Sequence, residues 1–345
     1  MASVAASGQD ANYTQFYNNP VYYNPANAAL GDGMNIHTSY RKLWPGIDEG
    51  FRNCMITFDI AEPSLNGGLG FIVHSGDEGA GKIRENAVGA MYSYRLPVIK
   101  RKFYLQMGLQ ATAVEKRLNE EGLVFSDQLD PLYGNVYQTS FQGVNNERVI
   151  YPDFATGITG RFNIGEFANG KARTTNIVGV SFSHITRPDE SFLGLDSKKP
   201  VKIVAHASSV IPLNSQFRSN QRKISVSPGL LYENQDMFET FTFGFNFLID
   251  PIYAGVWFRN RNIKLSADNY DAVMLLVGVK HELNRNLKMN FGYSYDVTTS
   301  KLASATAGSH EITISLSFKD LTLFGNRTPT LRQRATGARE CYHEF

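Results

Sequence analysis

Seven histidines and two cysteines are the side chains here best suited to chemistry, and their spacing argues against it. His37, His74, His184, His206, His281, His310 and His343 lie far apart in the chain. No HExxH pair sets two imidazoles on one helix face for zinc, and neither a nucleophile elbow nor a Cys–His spacing occurs. His310 and Glu311 adjoin at the head of an alternating stretch. Neighbours on a strand face opposite sides, so these two cannot form an acid/base pair without a bulge. GDEGAG at 76–81 has the glycines of a phosphate cradle but lacks both the following Lys-Ser/Thr and a helix to open. Cys54 falls inside a strand pattern and Cys341 near the C-terminus, so the thiols read as unpaired. The sequence nominates no catalytic residue, cofactor or metal, and the expectation is a protein that is not an enzyme.

The elements that would carry any site are strands. From Thr240 to Asp250, Phe241, Phe243, Phe245, Phe247 and Ile249 alternate with Thr242, Gly244, Asn246 and Leu248. Ile312, Ile314, Leu316 and Phe318 alternate likewise with Thr313, Ser315, Ser317 and Lys319. A period of two puts grease on one face of a strand and polar groups on the other. Fourteen such stretches are expected, at roughly 33–41, 53–62, 68–75, 86–97, 102–115, 152–162, 174–186, 200–212, 223–232, 238–250, 252–261, 272–281, 286–296 and 309–319. Long connections such as Lys42–Arg52, Lys116–Tyr151, Arg187–Lys199 and Val297–Gly308 alternate with tight returns such as Asp250–Pro251 and Glu282–Arg285. An even strand count with long loops on one side and short turns on the other describes a 14-stranded antiparallel transmembrane β-barrel of the outer membrane, all-β in class.

Composition agrees. Hydrophobic residues make up 42% and aromatics 12% of the 345 residues, with 17 Tyr and 23 Phe. The longest apolar run, Ala272–Val279, is far short of the ~18 to 20 residues of a spanning helix. The net charge is +2 and the basic residues are dispersed, which argues against nucleic acid as a partner. No Pro- or Ser-rich linker divides the chain, so the barrel is expected to occupy 33–319. Residues 1–8 read as the remnant of a trimmed signal peptide or a fusion scar, and 320–345 as a basic periplasmic tail, either docked on the rim or loosely held.

Three groups of residues are candidates for function. The Asn/Tyr/Pro-rich stretch 9–32 includes Asn19, Pro20, Tyr22, Tyr23, Asn24 and Pro25. Its prolines block continuous strand or helix, so it must find side-chain partners. It reads either as a plug folded into the lumen or lining its periplasmic mouth, or as a periplasmic arm. Alternation points Arg95, Gln106, Gln110, Arg161, Arg259 and Asn290 inward, along with His206, Asn246, Lys288 and Asp296. There they hydrate the lumen and bond a plug, or line a selective passage for a solute. The long loop at 116–151 mixes acids with Leu123, Phe125, Leu132, Tyr133, Tyr137 and Phe141, a composition suited to protein contact or to a mobile surface loop.

QDANYTQFYNNPVYYNPANAAL at 9–30 resembles the opening of the PorP/SprF family of type IX secretion system membrane proteins of Bacteroidetes. Similar blocks follow in order, among them GGLGFIVHSGDEG at 67–79, YPDFATGITGRF at 151–162, NIVGVSFSHITRP at 176–188, NFGYSYDVTTSKL at 290–302 and GSHEITISLSF at 308–318. The resemblance implies a FadL-like barrel in the outer membrane of a Gram-negative cell, partnered by lipid, translocon components and periplasmic machinery. It also implies a role in type IX protein secretion, and in gliding motility where the cargo is an adhesin. The protein would bind or anchor the C-terminal domain of secreted cargo or a surface adhesin. The rival expectation is a FadL-like transporter of small hydrophobic solutes, since fold alone does not decide function.

Overall fold

In lipid every backbone N–H and C=O must be satisfied within the protein, so a sheet of alternating strands is stable there only if it closes on itself. The computed structural model describes residues 10–323 except 32, 48–49, 80–82, 100–101, 120–122, 141–146, 165–173, 193, 195, 214–222, 265–269, 285, 300–305 and 320. The expected remnant at 1–8, Cys341 and nearly all of 320–345 lie outside the described residues.

Fourteen antiparallel strands form one closed barrel. They are β1 (Met34–Leu43), β2 (Arg52–Glu62), β3 (Gly67–Glu78), β4 (Ile83–Ile99), β5 (Phe103–Arg117), β8 (Arg148–Ile164), β9 (Thr174–Ser183), β10 (Lys202–Pro212), β11 (Ile224–Gln235), β12 (Phe238–Ile249), β13 (Ile252–Asn260), β14 (Tyr270–Asn284), β15 (Leu287–Thr298) and β16 (Ser309–Phe318). Between β5 and β8 a small hairpin, β6 (Leu129–Asp130) and β7 (Gly134–Asn135), stands apart from the wall. Each wall strand pairs with the next, and β16 returns to β1 with Met34 opposite Phe318 and Leu43 opposite Ser309.

The period of two becomes an inside and an outside. Leu109, Ile158 and Val277 are at least half exposed on the outer face, whereas the inward Thr159, Ser181 and Ser294 are fully buried. Phe243 stacks on its cross-strand partner Phe258 with ring centroids 5.6 Å apart. Cys54 is exposed. His310 bonds the Tyr293 hydroxyl at 2.8 Å, while its neighbour Glu311 is 1% exposed on the inner face.

Several strands run past their expected ends. The ladder of β5 and β8 continues to Arg117 and Arg148, so the long loop spans 118–147. Glu115 pairs with Arg117 and Arg148 there. Hydrophobic alternation stops where the wall leaves the lipid, but backbone pairing does not. One barrel end has the short turns 63–66, 250–251 and 285–286, and the other the loops 44–51, 118–147, 184–201 and 299–308. In outer-membrane barrels the short turns face the periplasm. A two-residue link, Asp236–Met237, joins β11 to β12 at the long-loop end.

The expectation of grease outside and water inside needs correction for part of the interior. Met55, Leu231, Trp257 and Met274 point inward, are no more than 2% exposed, and pack with Tyr13, Phe16, Tyr17 and Val21 in one hydrophobic cluster. The aromatic rings of the N-terminal stretch require apolar partners, and inward-facing residues of the wall supply them.

Candidate functional site

Residues 10–31 bond to inward side chains all around the barrel and run from its long-loop end to its short-turn end. Prolines start two of the short turns, at α1 (Pro20–Tyr23) and at Pro25–Asn27. A missing N–H is harmless at a first helical position. The Asn24 side chain caps the second turn by accepting from Ala26 N at 2.9 Å.

At the long-loop end Asp10 receives His184 Nε2 at 2.7 Å and Lys199 Nζ at 2.8 Å, and His184 Nδ1 lies 2.9 Å from Asp153. Burial opposes the Asp10 charge, but His184 and Lys199 outweigh it and hold its carboxyl well below the usual carboxylate range. Burial likewise opposes a charged His184, yet the Asp10 carboxylate raises its pKa to about 9. The outer loop is thereby clamped to the start of the enclosed segment. Just below, Glu311 accepts from Thr14 N at 2.6 Å and Gln15 N at 3.0 Å. Arg41 binds both Glu311, at 3.1 Å, and Asp296, at 2.6 Å.

Mid-barrel, Tyr17 stacks on Trp257 at 5.6 Å and Phe16 meets the same indole edge-on at 5.2 Å. Asn24 and Asn27 share Thr159, at 3.1 and 2.8 Å. The missing side chain of Gly108 lets backbone approach backbone: a Cβ there would stand 2.2 Å from Ala26 N. At the short-turn end Gln106 Nε2 and Ser93 Oγ donate to Ala28 O at 2.8 and 2.6 Å, and Arg161 donates to Leu30 O at 3.1 Å. Arg95 donates to Ala29 O.

The six residues singled out in the stretch all lie in this enclosed segment. Asn19, Tyr23, Asn24 and Pro25 are buried, Pro20 and Tyr22 partly so. Tyr23 and Tyr22 donate their hydroxyls to Tyr13 O and Ala11 O. Of the six inward wall residues, Arg95, Gln106, Arg161 and Asn290 bond the segment directly. Gln110 bonds Thr112 instead, at 3.0 Å, and Arg259 lies 3.4 Å from Asp296. In the outer loop Leu132 is 86%, Tyr133 79% and Tyr137 56% exposed. Leu123 and Phe125 are half-buried, and Phe141 lies outside the described residues. Asp130 accepts from Leu132 N, Tyr133 N and the Tyr137 hydroxyl and so shapes the hairpin tip.

Arg41, Trp257, Asp10 and Gln15 were not singled out from sequence, and Glu311 was weighed only as an acid/base partner of His310. For the wall residues the signal was present in the alternation: Arg41 shares its inward face with Asn35, His37 and Ser39, and Trp257 shares its own with Tyr253. Among the described residues no group of three or more His, Cys, Asp or Glu could hold a metal ion.

No curated protein matches the chain. Among solved structures, CdiB from Acinetobacter baumannii is 11% identical with a TM-score of 0.42, over 83% of this chain and 60% of that one. The present chain thus spans about 60% of the length of CdiB. BamA from Haemophilus ducreyi lacking POTRA domains 1–3 is 13% identical with a TM-score of 0.39, over 83% of this chain and 70% of that one. The TodX deltaS2S3 mutant monoaromatic hydrocarbon channel is 10% identical with a TM-score of 0.40, over 90% and 96%. Likenesses this slight carry no inference about function. The model of the type IX secretion system membrane protein family PorP/SprF matches residues 5–316, and the chain, an outer-membrane β-barrel by its own strand pairing, belongs to that family.

Proposed function

We propose that this chain serves type IX secretion without catalysis, as an outer-membrane protein that binds or anchors the C-terminal domains of secreted cargo and contacts translocon partners. Gliding adhesins are among the cargo it would hold. The observation that carries the reading is the outer loop 118–147, whose hairpin tip presents Leu132, Tyr133 and Tyr137 to solvent in a chain of this family. Exposed aromatic and apolar groups with a polar rim suit a protein interface. Two or three such loops supply the ~1,600 Å² of a standard interface.

The enclosed segment acts in this reading as a plug. Its packing against the inner wall supports a barrel that holds proteins rather than one that passes solutes. The test is a tagged pull-down from native membranes combined with a deletion strain. Co-purification of a secreted C-terminal domain, lost in a Leu132→Ser/Tyr133→Ser variant, is the expected result. A strain that displays all its surface proteins normally but fails to take up a small hydrophobic solute would overturn the proposal in favour of the transporter.

A further inference from the structure

Five of six neighbouring strands carry a cation at the same height on the outer face of the long-loop end. The register sets Lys42 of β1 opposite Arg52 of β2, and Arg52 opposite Asp77 of β3. Asp77 faces Arg84 of β4, which faces Arg117 of β5, which in turn faces Arg148 of β8. The four arginine side chains are more than half exposed. They share the parity of the lipid-facing Ile56, Val73, Val88 and Ile150. The first wholly apolar row beneath them, Ile56, Val73, Val88, Ala113 and Pro152, lies four residues down each strand. Four residues of a strand tilted by about 40° rise ~10 Å, which puts the cations at the level of the lipid headgroups.

Among the described residues, two carboxylates meet these cations. Asp77 is shared by Arg52 at 3.4 Å and Arg84 at 2.7 Å, and Glu115 is shared by Arg117 at 2.9 Å and by Arg148. Five positive charges thus stand against two negative ones. A guanidinium carries five N–H donors, so one carboxylate divided between two arginines satisfies only part of each fork. Exposed ion pairs of this kind hold little free energy, and a better anion can replace the carboxylates. The patch is confined to one side of the barrel. Near the same rim on the other side, Ile203, Asn234 and Glu239 stand opposite one another, and the exposed Arg261 is matched singly by Asp271 at 3.8 Å.

An anion that suits this surface must sit at headgroup height and tolerate an apolar wall directly below it. A phosphorylated lipid does both, because guanidinium forks take phosphate oxygens in bidentate pairs while the wall packs acyl chains. From Arg52 to Arg148 the row crosses four strand spacings, about 19 Å, which is room for a headgroup bearing more than one phosphate. We propose that this row binds the phosphates of a glycolipid of the outer leaflet. Arg84, Arg117 and Arg148 form its centre, and Val88, Ala113 and Phe154 lie along the acyl chains. The hairpin tip at Leu132 and Tyr133 takes no part, so this inference and the cargo reading fail separately.

The test uses the full chain, delipidated in detergent micelles, and native mass spectrometry with diphosphoryl lipid A as the probe. Lipid A binds at least tenfold more tightly than phosphatidylglycerol, and its affinity falls with added salt. The double variant R84Q/R117Q weakens it at least tenfold, about the worth of one charged hydrogen bond. D77N, which releases Arg52 and Arg84 from their shared carboxylate, strengthens it severalfold. R261Q, on the other side of the barrel, leaves it unchanged, as does the Leu132→Ser/Tyr133→Ser variant. Folding of every variant is checked by heat-modifiable migration on gels. Equal affinity for phosphatidylglycerol, indifference to R84Q/R117Q in folded protein, weaker binding by D77N, displacement by inorganic phosphate at equal concentration, or no binding at all would each overturn the proposal.

Discussion

Gly108 offers a way to dislodge the enclosed segment without touching the outside of the barrel. Its position on β5 faces inward, where an added Cβ would lie 2.2 Å from Ala26 N and 2.3 Å from the Pro25 carbonyl carbon. Ordinary contact begins at 3.4 Å, so Gly108→Val must push the segment away by the difference, about 1.2 Å. The strand itself accepts valine readily, because β-branched residues suit a pleated sheet. The nearby bonds have no such slack. Gln106 and Ser93 reach Ala28 O at 2.8 and 2.6 Å, and Asn24 reaches Thr159 at 3.1 Å; all three pass beyond hydrogen-bond range after that shift. At about 1 kcal/mol each, the low end for a buried bond, the loss is ~3 kcal/mol and raises the opened population by roughly two orders of magnitude. Hydrogen–deuterium exchange in micelles reads this directly: the amides of Ala26, Ala28 and Ala29 exchange about 100-fold faster in the variant, while those of the β12–β13 pair are unchanged. Ion conductance across planar bilayers rises in parallel. Exchange within twofold of the parent protein, in a variant that still migrates as a folded barrel, would refute the claim that tight backbone approach at Gly108 holds the segment in place.

Other perturbations test separate parts of the structure. Because the pKa of His184 is raised to about 9 from an ordinary 6.5, the clamp it contributes is complete below about pH 6.5 and is lost as pH rises through 9. Asp10, with its pKa depressed, contributes above its ordinary 3.8 and loses that contribution only in stronger acid. Exchange of the amides of residues 10–14, corrected for intrinsic rates, should therefore speed up between pH 7 and 10, and His184→Gln should remove that trend. Trp257→Ala withdraws the surface on which Tyr17 and Phe16 pack and costs about 3 to 5 kcal/mol, measured as a lower midpoint for local denaturant-induced opening. Leu109, 65% exposed on the lipid face of β5, predicts that Leu109→Arg destabilises the barrel by ~2 to 4 kcal/mol in refolding titrations. Gln110→Arg, one residue along on the inner face, costs markedly less.

How legible these features were in the sequence depends on how far apart the partners lie. The wall was readable because its rule is local: lipid on one side forces a period of two, and stretches such as Phe241–Ile249 show it within ten residues. The enclosed segment obeys no such rule. Thr14 meets Glu311 across 297 positions, and Asn18 meets Thr313 across 295. Nothing in the composition of 9–32 identifies which inward side chains will receive which asparagine. One signal could nonetheless have been read further. An inner face bathed in water has no use for Met55, Leu231, Trp257 and Met274, and each sits at an inward position by simple parity with its neighbours. Large apolar residues on the polar face of a barrel strand imply something apolar to cover them. The N-terminal stretch, with Tyr13, Phe16, Tyr17 and Val21, has the rings and aliphatic surface to do so. The same parity argument applied to charges leads to Arg41, Asp296 and Glu311, three ionisable groups on adjacent strands and one face, which must pair once water is displaced. A filled lumen is thus the state in which both the misplaced grease and the clustered charge of the inner wall find partners, and emptying it would leave both exposed.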